Sequence, residues 1–189
     1  MNLEEKLKVF ETLQYLNVDI VEAGFAIASE GDFEAVKEVS KLAKNTIVCS
    51  LARSNKDDIE RANEALSLAE RFRIHTFIAT SELHMKYKLQ MSREEVIQQI
   101  KDSVSYARNF TDDVEWSAED GSRSDFDFLC KCIDMAIKSG AKTINIPDTV
   151  GYCMPLEYQD IFRKIRNNVD NIEDITLSVH CHNDLGLAV

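Results

Sequence analysis

Segments with the apolar pattern of strands alternate with segments of helical periodicity from one end of this sequence to the other. The predicted strands end at intervals of 26 to 38 residues, at Glu22, Arg53, Ala79, Ser117, Asp148 and His180. Parallel strands need a crossover connection between them, usually a helix, and units of this length supply one. The spacing therefore predicts a parallel β-sheet whose successive strands are connected by helices.

Two architectures fit this spacing, an open doubly wound sheet and a (β/α)8 TIM barrel. A doubly wound sheet concentrates its binding groups at one switch point, often with a glycine-rich phosphate loop, and no G-x-G-x-x-G occurs here. Polar residues instead end nearly every predicted strand, and TIM barrels build their sites at these carboxyl ends. The sequence therefore favours the α/β class and a TIM barrel.

The number of units is smaller than a closed barrel requires. The sequence starts with a predicted helix, stops after a predicted strand and has 189 residues, whereas a TIM barrel typically has about 250. We expect residues 1–189 to form one partial catalytic TIM-barrel domain that runs from the first helix to the seventh strand. The first strand and the end of the barrel are expected to be missing, and no second domain is predicted.

Charge and cysteine content restrict the partners and the compartment. The sequence has 22 basic and 33 acidic residues, a net charge of −11, which disfavours nucleic acid because phosphate binding requires clustered positive charge. No apolar run approaches the roughly 18 residues of a membrane helix, so no membrane partner is expected. The five cysteines form no C-x-x-C pair, which indicates free thiols and predicts a cytoplasmic protein.

The motif S-V-H-C-H-N-D, residues 178–184, is the sharpest local feature. Side chains two residues apart on a strand lie on the same face, so His180 and His182 present both imidazoles together. Two imidazoles on one rigid element form half of a divalent-metal site, which needs oxygen ligands from elsewhere. The alternative is that both histidines pair with neighbouring carboxylates.

Further polar residues end other predicted strands. Asp148 and Thr149 follow a buried strand in I-N-I-P-D-T-V-G, where a hydroxyl can bind a substrate carboxylate; alternatively, Asp148 caps a turn. Glu22 and Glu119 are strand-end carboxylates that can act as an acid, a base or an orienting group, or serve only as ion-pair partners.

Three residues of the second and third predicted strands are also candidates. Arg53 can clamp a carboxylate with two parallel hydrogen bonds, or pair with a neighbouring acid. His75 can polarise a carbonyl, although an isolated histidine on a strand is more often a core residue. Phe77 lies on the same side of its strand as His75 and is expected to line the substrate site.

Taken together, these segments resemble the 2-isopropylmalate synthase family. The resemblance covers essentially all 189 residues in the family's order and spacing. The H-x-H and P-D-T pieces are shared with a wider superfamily that includes homocitrate synthase, citramalate synthase and hydroxymethylglutaryl-CoA lyase. The segments that carry the resemblance are VEAGFAIASEGDFEAV, RIHTFIATS, YKLQMSREEV, SAEDGSRSD, INIPDTVGY and SVHCHNDLGLAV.

The resemblance implies a TIM-barrel acyltransferase of leucine biosynthesis that condenses acetyl-CoA with 2-oxoisovalerate, and it suggests a homodimer. In this family a divalent metal binds the 2-oxo acid, which implies that His180 and His182 are metal ligands. Mn²⁺ or Zn²⁺ is expected, with Mg²⁺ and Co²⁺ as alternatives. The family's other protein ligands are an Asp of a D-T-T-L-R-D-G-E-Q motif and an Asn beyond strand seven, and this sequence contains neither.

The resemblance also implies roles for four of the candidate residues. Thr149 would bind the carboxylate of the oxo acid, and His75 would lie near its carbonyl. Glu22 would orient the arginine of the absent strand-one motif, and Glu119 is the candidate for proton transfer at the acetyl methyl group.

Three alternatives remain open at this point. A sister synthase would use the same metal site with pyruvate or 2-oxoglutarate. A related lyase would cleave the corresponding carbon–carbon bond. A non-catalytic metal-binding domain would keep the histidines without the chemistry.

Overall fold

The computed structural model describes residues 1–189, the whole chain. Seven α-helices and six β-strands alternate along it, with one π-helical turn at Met85–Leu89 and two 3₁₀ turns at Gly121–Arg123 and Ile172–Asp174. The strands are β1 (Ile20–Gly24), β2 (Ile47–Arg53), β3 (Phe72–Ala79), β4 (Val114–Glu119), β5 (Thr143–Asp148) and β6 (Thr176–Cys181). The helices are α1 (Leu3–Tyr15), α2 (Glu30–Leu42), α3 (Lys56–Leu66), α4 (Glu82–His84), α5 (Arg93–Ala107), α6 (Phe126–Lys138) and α7 (Pro155–Asn168).

The six strands form one sheet in the order β1-β2-β3-β4-β5-β6, and every neighbouring pair is parallel. Strand order equals chain order throughout, so the sheet has no switch point of the kind that a doubly wound fold contains. The predicted partial TIM barrel is therefore confirmed. All six strands run the same way, which brings their carboxyl ends to one edge of the sheet.

The two faces of the sheet differ in polarity because side chains alternate along each strand. Ile74, Trp116 and Ile144 belong to the large cluster of buried apolar side chains that the sheet shares with its helices. The other face carries polar residues that contact one another across the strands, among them His75 and Ser117. This polar face corresponds to the interior of a barrel, and it holds the candidate site.

Local signals explain where several elements begin and end. Capping boxes are present at Asn2 and Ser92, each with a glutamate three residues later that bonds back to the cap. Gly140 follows α6 with a φ of 107°, which suits glycine. Strand β1 begins only at Ile20, because the N–H of Val18 still bonds to Leu13 of the preceding helix.

The structure also differs from expectation at the carboxyl ends of the strands. Strand β4 continues two residues past its predicted end at Ser117, so Glu119 is the last residue of the strand, whereas β5 ends at Asp148 as expected. None of the helices has the length and apolar character that crossing a membrane requires.

Candidate active site

A cavity of about 150 Å³ opens at the carboxyl edge of the sheet, on its polar face. Every strand or the loop directly after it contributes at least one side chain to the lining. Seven of the nine predicted site residues are among them, while Arg53 and Asp148 are not. The lining residues are Glu22, Leu51, His75, Phe77, Ser117, Glu119, Asn145, Pro147, Thr149, His180 and His182.

A chain of hydrogen bonds crosses the floor of this cavity from β1 to β5. His75 Nδ1 lies 2.5 Å from Glu22 Oε2, and its Nε2 lies 2.6 Å from the hydroxyl of Ser117. Asn145 donates its Nδ2–H to the same hydroxyl over 2.9 Å. His75 is therefore fixed at both ring nitrogens, by Glu22 of β1 and by Ser117 of β4.

His75 and Glu22 influence each other's protonation. Burial alone lowers the pKa of His75, but the hydrogen bond that it donates to Glu22 and the nearby charge of Glu115 outweigh this effect, so the pKa lies above the ordinary 6.5. Partial burial raises the pKa of Glu22, but the hydrogen bond and charge of His75 outweigh this and hold it below 4.5. The contribution of His75 to stability is complete below pH 6.5 and is lost at higher pH, while that of Glu22 is complete above pH 4.5 and is lost at lower pH. The charged pair therefore stabilises the fold most between these values.

We expect Glu22→Gln to lower the pKa of His75. The neutral amide removes the charge that favours the imidazolium and leaves the burial that opposes it. An NMR titration of the His75 ring should give a pKa above 6.5 in the wild type and a lower value in the variant. Glu4→Gln, at an exposed carboxylate of α1, is the control. An unchanged titration in Glu22→Gln would contradict the assignment of the pair.

His180 and His182 lie side by side at the cavity rim, and both are exposed. Their ring centroids are 5.1 Å apart and the ring planes are inclined by 44°. His182 follows the last residue of β6, but its N–H still bonds to the carbonyl of Asp148. Glycine at position 151 lets the backbone approach His182 closely. A Cβ there would lie 2.8 Å from the carbonyl oxygen of His182.

The donor set on the cavity fits a divalent metal. Two adjacent imidazoles are the ligands that Zn²⁺ and Mn²⁺ accept together with oxygen atoms. The Oδ1 atom of Asn145, a residue that lines the same cavity, is buried and has no hydrogen-bond partner, which is a rare condition for a buried amide oxygen. The cavity lining therefore includes a buried amide oxygen that is free to accept a hydrogen bond or to coordinate a metal.

A second set of metal-ligand types, Glu22, Cys49 and His75, has its donor atoms within 4.8 Å of one another. Glu22 and His75 are already hydrogen-bonded to each other. Burial raises the pKa of the Cys49 thiol well above its usual value, and a protonated thiol is a poor ligand. The exposed histidine pair is therefore the better candidate for the metal.

Glu119, at the end of β4, and Thr149, just after β5, also line the cavity. Lys88 lies 2.6 and 2.8 Å from the two carboxylate oxygens of Glu119. The hydroxyl oxygen of Thr149 accepts the backbone N–H of Asp120 over 2.9 Å. Because this bond uses a lone pair, the hydroxyl proton of Thr149 stays available to donate to a ligand.

Two predicted substrate-binding residues, Arg53 and Asp148, do not line this cavity and contact other groups instead. Arg53 forms two hydrogen bonds to the carboxylate of buried Asp58, five residues further along the chain, and so makes the ion pair that was its alternative role. Asp148 is only 4% exposed, and its carboxylate accepts the hydroxyl of Ser122 and the N–H of Cys153. Asp148 therefore orders the turn after β5.

Sequence reasoning missed several lining residues, notably Ser117 and Asn145. Ser117 lies two residues before Glu119 and so faces the same side of β4. Asn145 lies opposite Ser117 in the register of β4 and β5. Extending the two-residue alternation inward from each strand end could have found both.

Comparison with known proteins places the chain in a class. A family model described as HMGL-like matches residues 1–189, so this chain belongs to the HMGL-like family. Curated proteins named 2-isopropylmalate synthase, from Bradyrhizobium sp. (strain ORS 278) and Rhodopseudomonas palustris (strain BisA53), are each 57% identical over all 189 residues. The chain spans 36% of the length of these relatives.

Solved structures support the fold. The crystal structure of hydroxymethylglutaryl-CoA lyase from Pseudomonas aeruginosa superposes with a TM-score of 0.79 and 17% identity, covering all of this chain and 64% of the lyase chain. At this identity the similarity concerns the fold alone.

Proposed function

We propose that this chain carries a large part of the active site of a 2-isopropylmalate synthase, an acyltransferase. The enzyme condenses acetyl-CoA with 2-oxoisovalerate to give 2-isopropylmalate and CoA, the first committed step of leucine biosynthesis. The observation that carries the proposal is the 57% identity, over the entire chain, to relatives of that name. The geometry agrees with it, because seven residues expected in the site line one cavity.

His180 and His182 would hold a divalent cation, Mn²⁺ or Zn²⁺, with Mg²⁺ and Co²⁺ as alternatives that also accept imidazole and oxygen ligands. When bound, such a cation supplies Lewis acidity that polarises the ketone of the oxo acid and stabilises alkoxide charge. Both histidines are exposed at the cavity rim, which leaves their ring nitrogens accessible for this role.

Thr149 and Ser117 would bind and orient the oxo acid. The free hydroxyl proton of Thr149 is suited to donate to the carboxylate of the substrate. In its protonated form, His75 donates its Nε2–H to Ser117, and Asn145 donates a second hydrogen bond to the same oxygen. The proton of the Ser117 hydroxyl is therefore directed away from both donors and is available to a substrate oxygen. Phe77 would exclude water on the apolar side.

Glu119 would remove a proton from the acetyl methyl group, and Glu22 would keep His75 charged and oriented. The carboxylate of Glu119 is at the end of β4 and lines the cavity, so it can reach a group beside the bound oxo acid. Proton transfer by a positioned side chain typically contributes about 10²–10⁴-fold to a rate. We further propose that the protein is a homodimer, as the family resemblance suggests. We also propose that it is cytoplasmic, which the free thiols support.

Substrate preference tests this proposal. The protein expressed from its own gene, supplied with Mn²⁺, should release CoA from acetyl-CoA in the presence of 2-oxoisovalerate. We expect kcat/KM for 2-oxoisovalerate to exceed that for pyruvate by at least about tenfold, since one methylene in an apolar pocket is worth about 10- to 200-fold.

Three results would contradict the proposal. A preference for pyruvate or 2-oxoglutarate would indicate a sister synthase. Cleavage of a hydroxyacyl-CoA without condensation would indicate a lyase. Stoichiometric metal binding without any turnover would indicate a metal-binding domain.

A further inference from the structure

The residues between β3 and α5 form an irregular helical segment beside the candidate site. A single turn, α4, is capped by the hydroxyl of Ser81 and passes directly into the π-helical turn Met85–Leu89. The segment ends at Gln90, which has a left-handed φ of 56°. π-helical turns of this kind occur frequently at functional sites, because the wider turn changes the direction in which side chains point.

Two side chains of this segment converge on Glu119, which lies more than 30 residues further along the chain. Lys88 contacts both oxygens of its carboxylate, at 2.6 and 2.8 Å. His84 Nδ1 is buried without a hydrogen-bond partner and lies 3.5 Å from Glu119 Oε1 and 3.8 Å from Asp120 Oδ2. The segment therefore surrounds this carboxylate with a cation and an unpaired imidazole nitrogen.

Glu119 stands between two cavities. One is the candidate active site, and the other is a neighbouring cavity of about 280 Å³ whose lining includes Arg53, Lys88 and Met91. Glu119 and Phe77 line both cavities. Lys88 lines only the neighbouring cavity, so its ion pair connects Glu119 to the lining of that cavity.

We propose that Lys88 is a positioning residue, which fixes the carboxylate of Glu119 at the boundary between the two cavities. The inference rests on the proposed role of Glu119 as the base. A glutamate side chain has three rotatable bonds, and the Glu119 side chain is only 18% exposed, so a cation that contacts both oxygens restricts it to one arrangement. Without Lys88, the carboxylate loses its only direct hydrogen-bonded partner, and misplacement of a reacting group by about 1 Å can cost about 10²-fold in rate.

The test measures two quantities in the protein expressed from its own gene: steady-state turnover, and exchange of the acetyl-CoA methyl protons with deuterium from solvent. We expect Lys88→Ala to lower kcat and the exchange rate by about 10- to 100-fold, with KM for both substrates within about twofold of the wild type. Lys88→Arg keeps the cation and should retain most of the activity. Lys86→Ala, at an exposed lysine of the same π-helical turn, is the matched control and should behave as the wild type.

Several outcomes would overturn the proposal. If Lys88→Ala leaves kcat and exchange unchanged while Glu119→Gln abolishes both, Glu119 is the base but Lys88 does not position it. If Lys88→Ala raises KM for acetyl-CoA at constant kcat, Lys88 binds the thioester substrate instead. If Lys88→Ala and Lys88→Arg lose activity together with a lower melting temperature, the contact is structural. If Glu119→Gln exchanges protons normally, the proposed base itself is wrong.

Discussion

His180→Ala should abolish most of the activity and most of the metal content of the protein while leaving the fold intact. Loss of a residue that only supports a ligand already costs about 10–100-fold in metal affinity or activity, and loss of a ligand should cost more. His180 is exposed and no hydrogen bond of its ring stabilises the sheet, so the free energy of unfolding without metal should change by less than about 0.5 kcal/mol. Mass spectrometry measures the metal content, and an assay of CoA release measures the activity.

Val179→Ala is the matched control for this variant. Val179 precedes His180 on β6, points to the opposite face of the strand and is 62% exposed. It should bind metal and turn over as the wild type does. Near-normal activity and metal content in His180→Ala would show that the histidine pair is not the metal site.

Trp116→Ala should destabilise the fold by about 3–5 kcal/mol, which is the usual cost of removing a buried aromatic side chain. Trp116 is fully buried on β4, on the face of the sheet that α5 and α6 cover. Its removal leaves a cavity in the core that connects the sheet to these helices. Urea unfolding followed by circular dichroism measures the change as a shift of the midpoint.

Trp116→Phe separates two contributions to stability, the volume of the buried side chain and the unsatisfied hydrogen-bond donor of the indole. The indole Nε1–H of Trp116 is buried and has no hydrogen-bond partner, so phenylalanine removes an unsatisfied donor as well as some volume. We expect this variant to cost only about 1–2 kcal/mol. Equal destabilisation by both variants, or a loss below about 1 kcal/mol in Trp116→Ala, would contradict the proposed packing.

The sheet could be predicted from the sequence because its signals are local and repeated. Short apolar runs, capping boxes at Asn2 and Ser92, and the glycine after α6 each specify one boundary. Regular spacing then restricts the connections to parallel crossovers. The histidine pair could be predicted in the same way, since the two-residue period of a strand alone brings His180 and His182 to one face.

The rest of the site depends on contacts between distant or competing groups. The role of Arg53 could not be predicted from its position at a strand end. Its guanidinium forms an ion pair with Asp58, and this contact depends on how α3 packs against β2. Asp148 points towards the turn because Ser122, 26 residues away, supplies a hydrogen bond there. Lys88 reaches Glu119 through a π-helical turn, for which the sequence contains no recognisable signal.

The position of the bound metal is the most direct test of the central claim, that the carboxyl edge of this sheet carries a metal-dependent active site. An anomalous difference map at the zinc edge, from crystals of the protein grown with Zn²⁺, locates the ion independently of activity. We predict a peak about 2.0–2.1 Å from one ring nitrogen each of His180 and His182, the usual length of a zinc–imidazole bond. No peak at this pair, or a peak at Glu22, Cys49 and His75 instead, would contradict the claim.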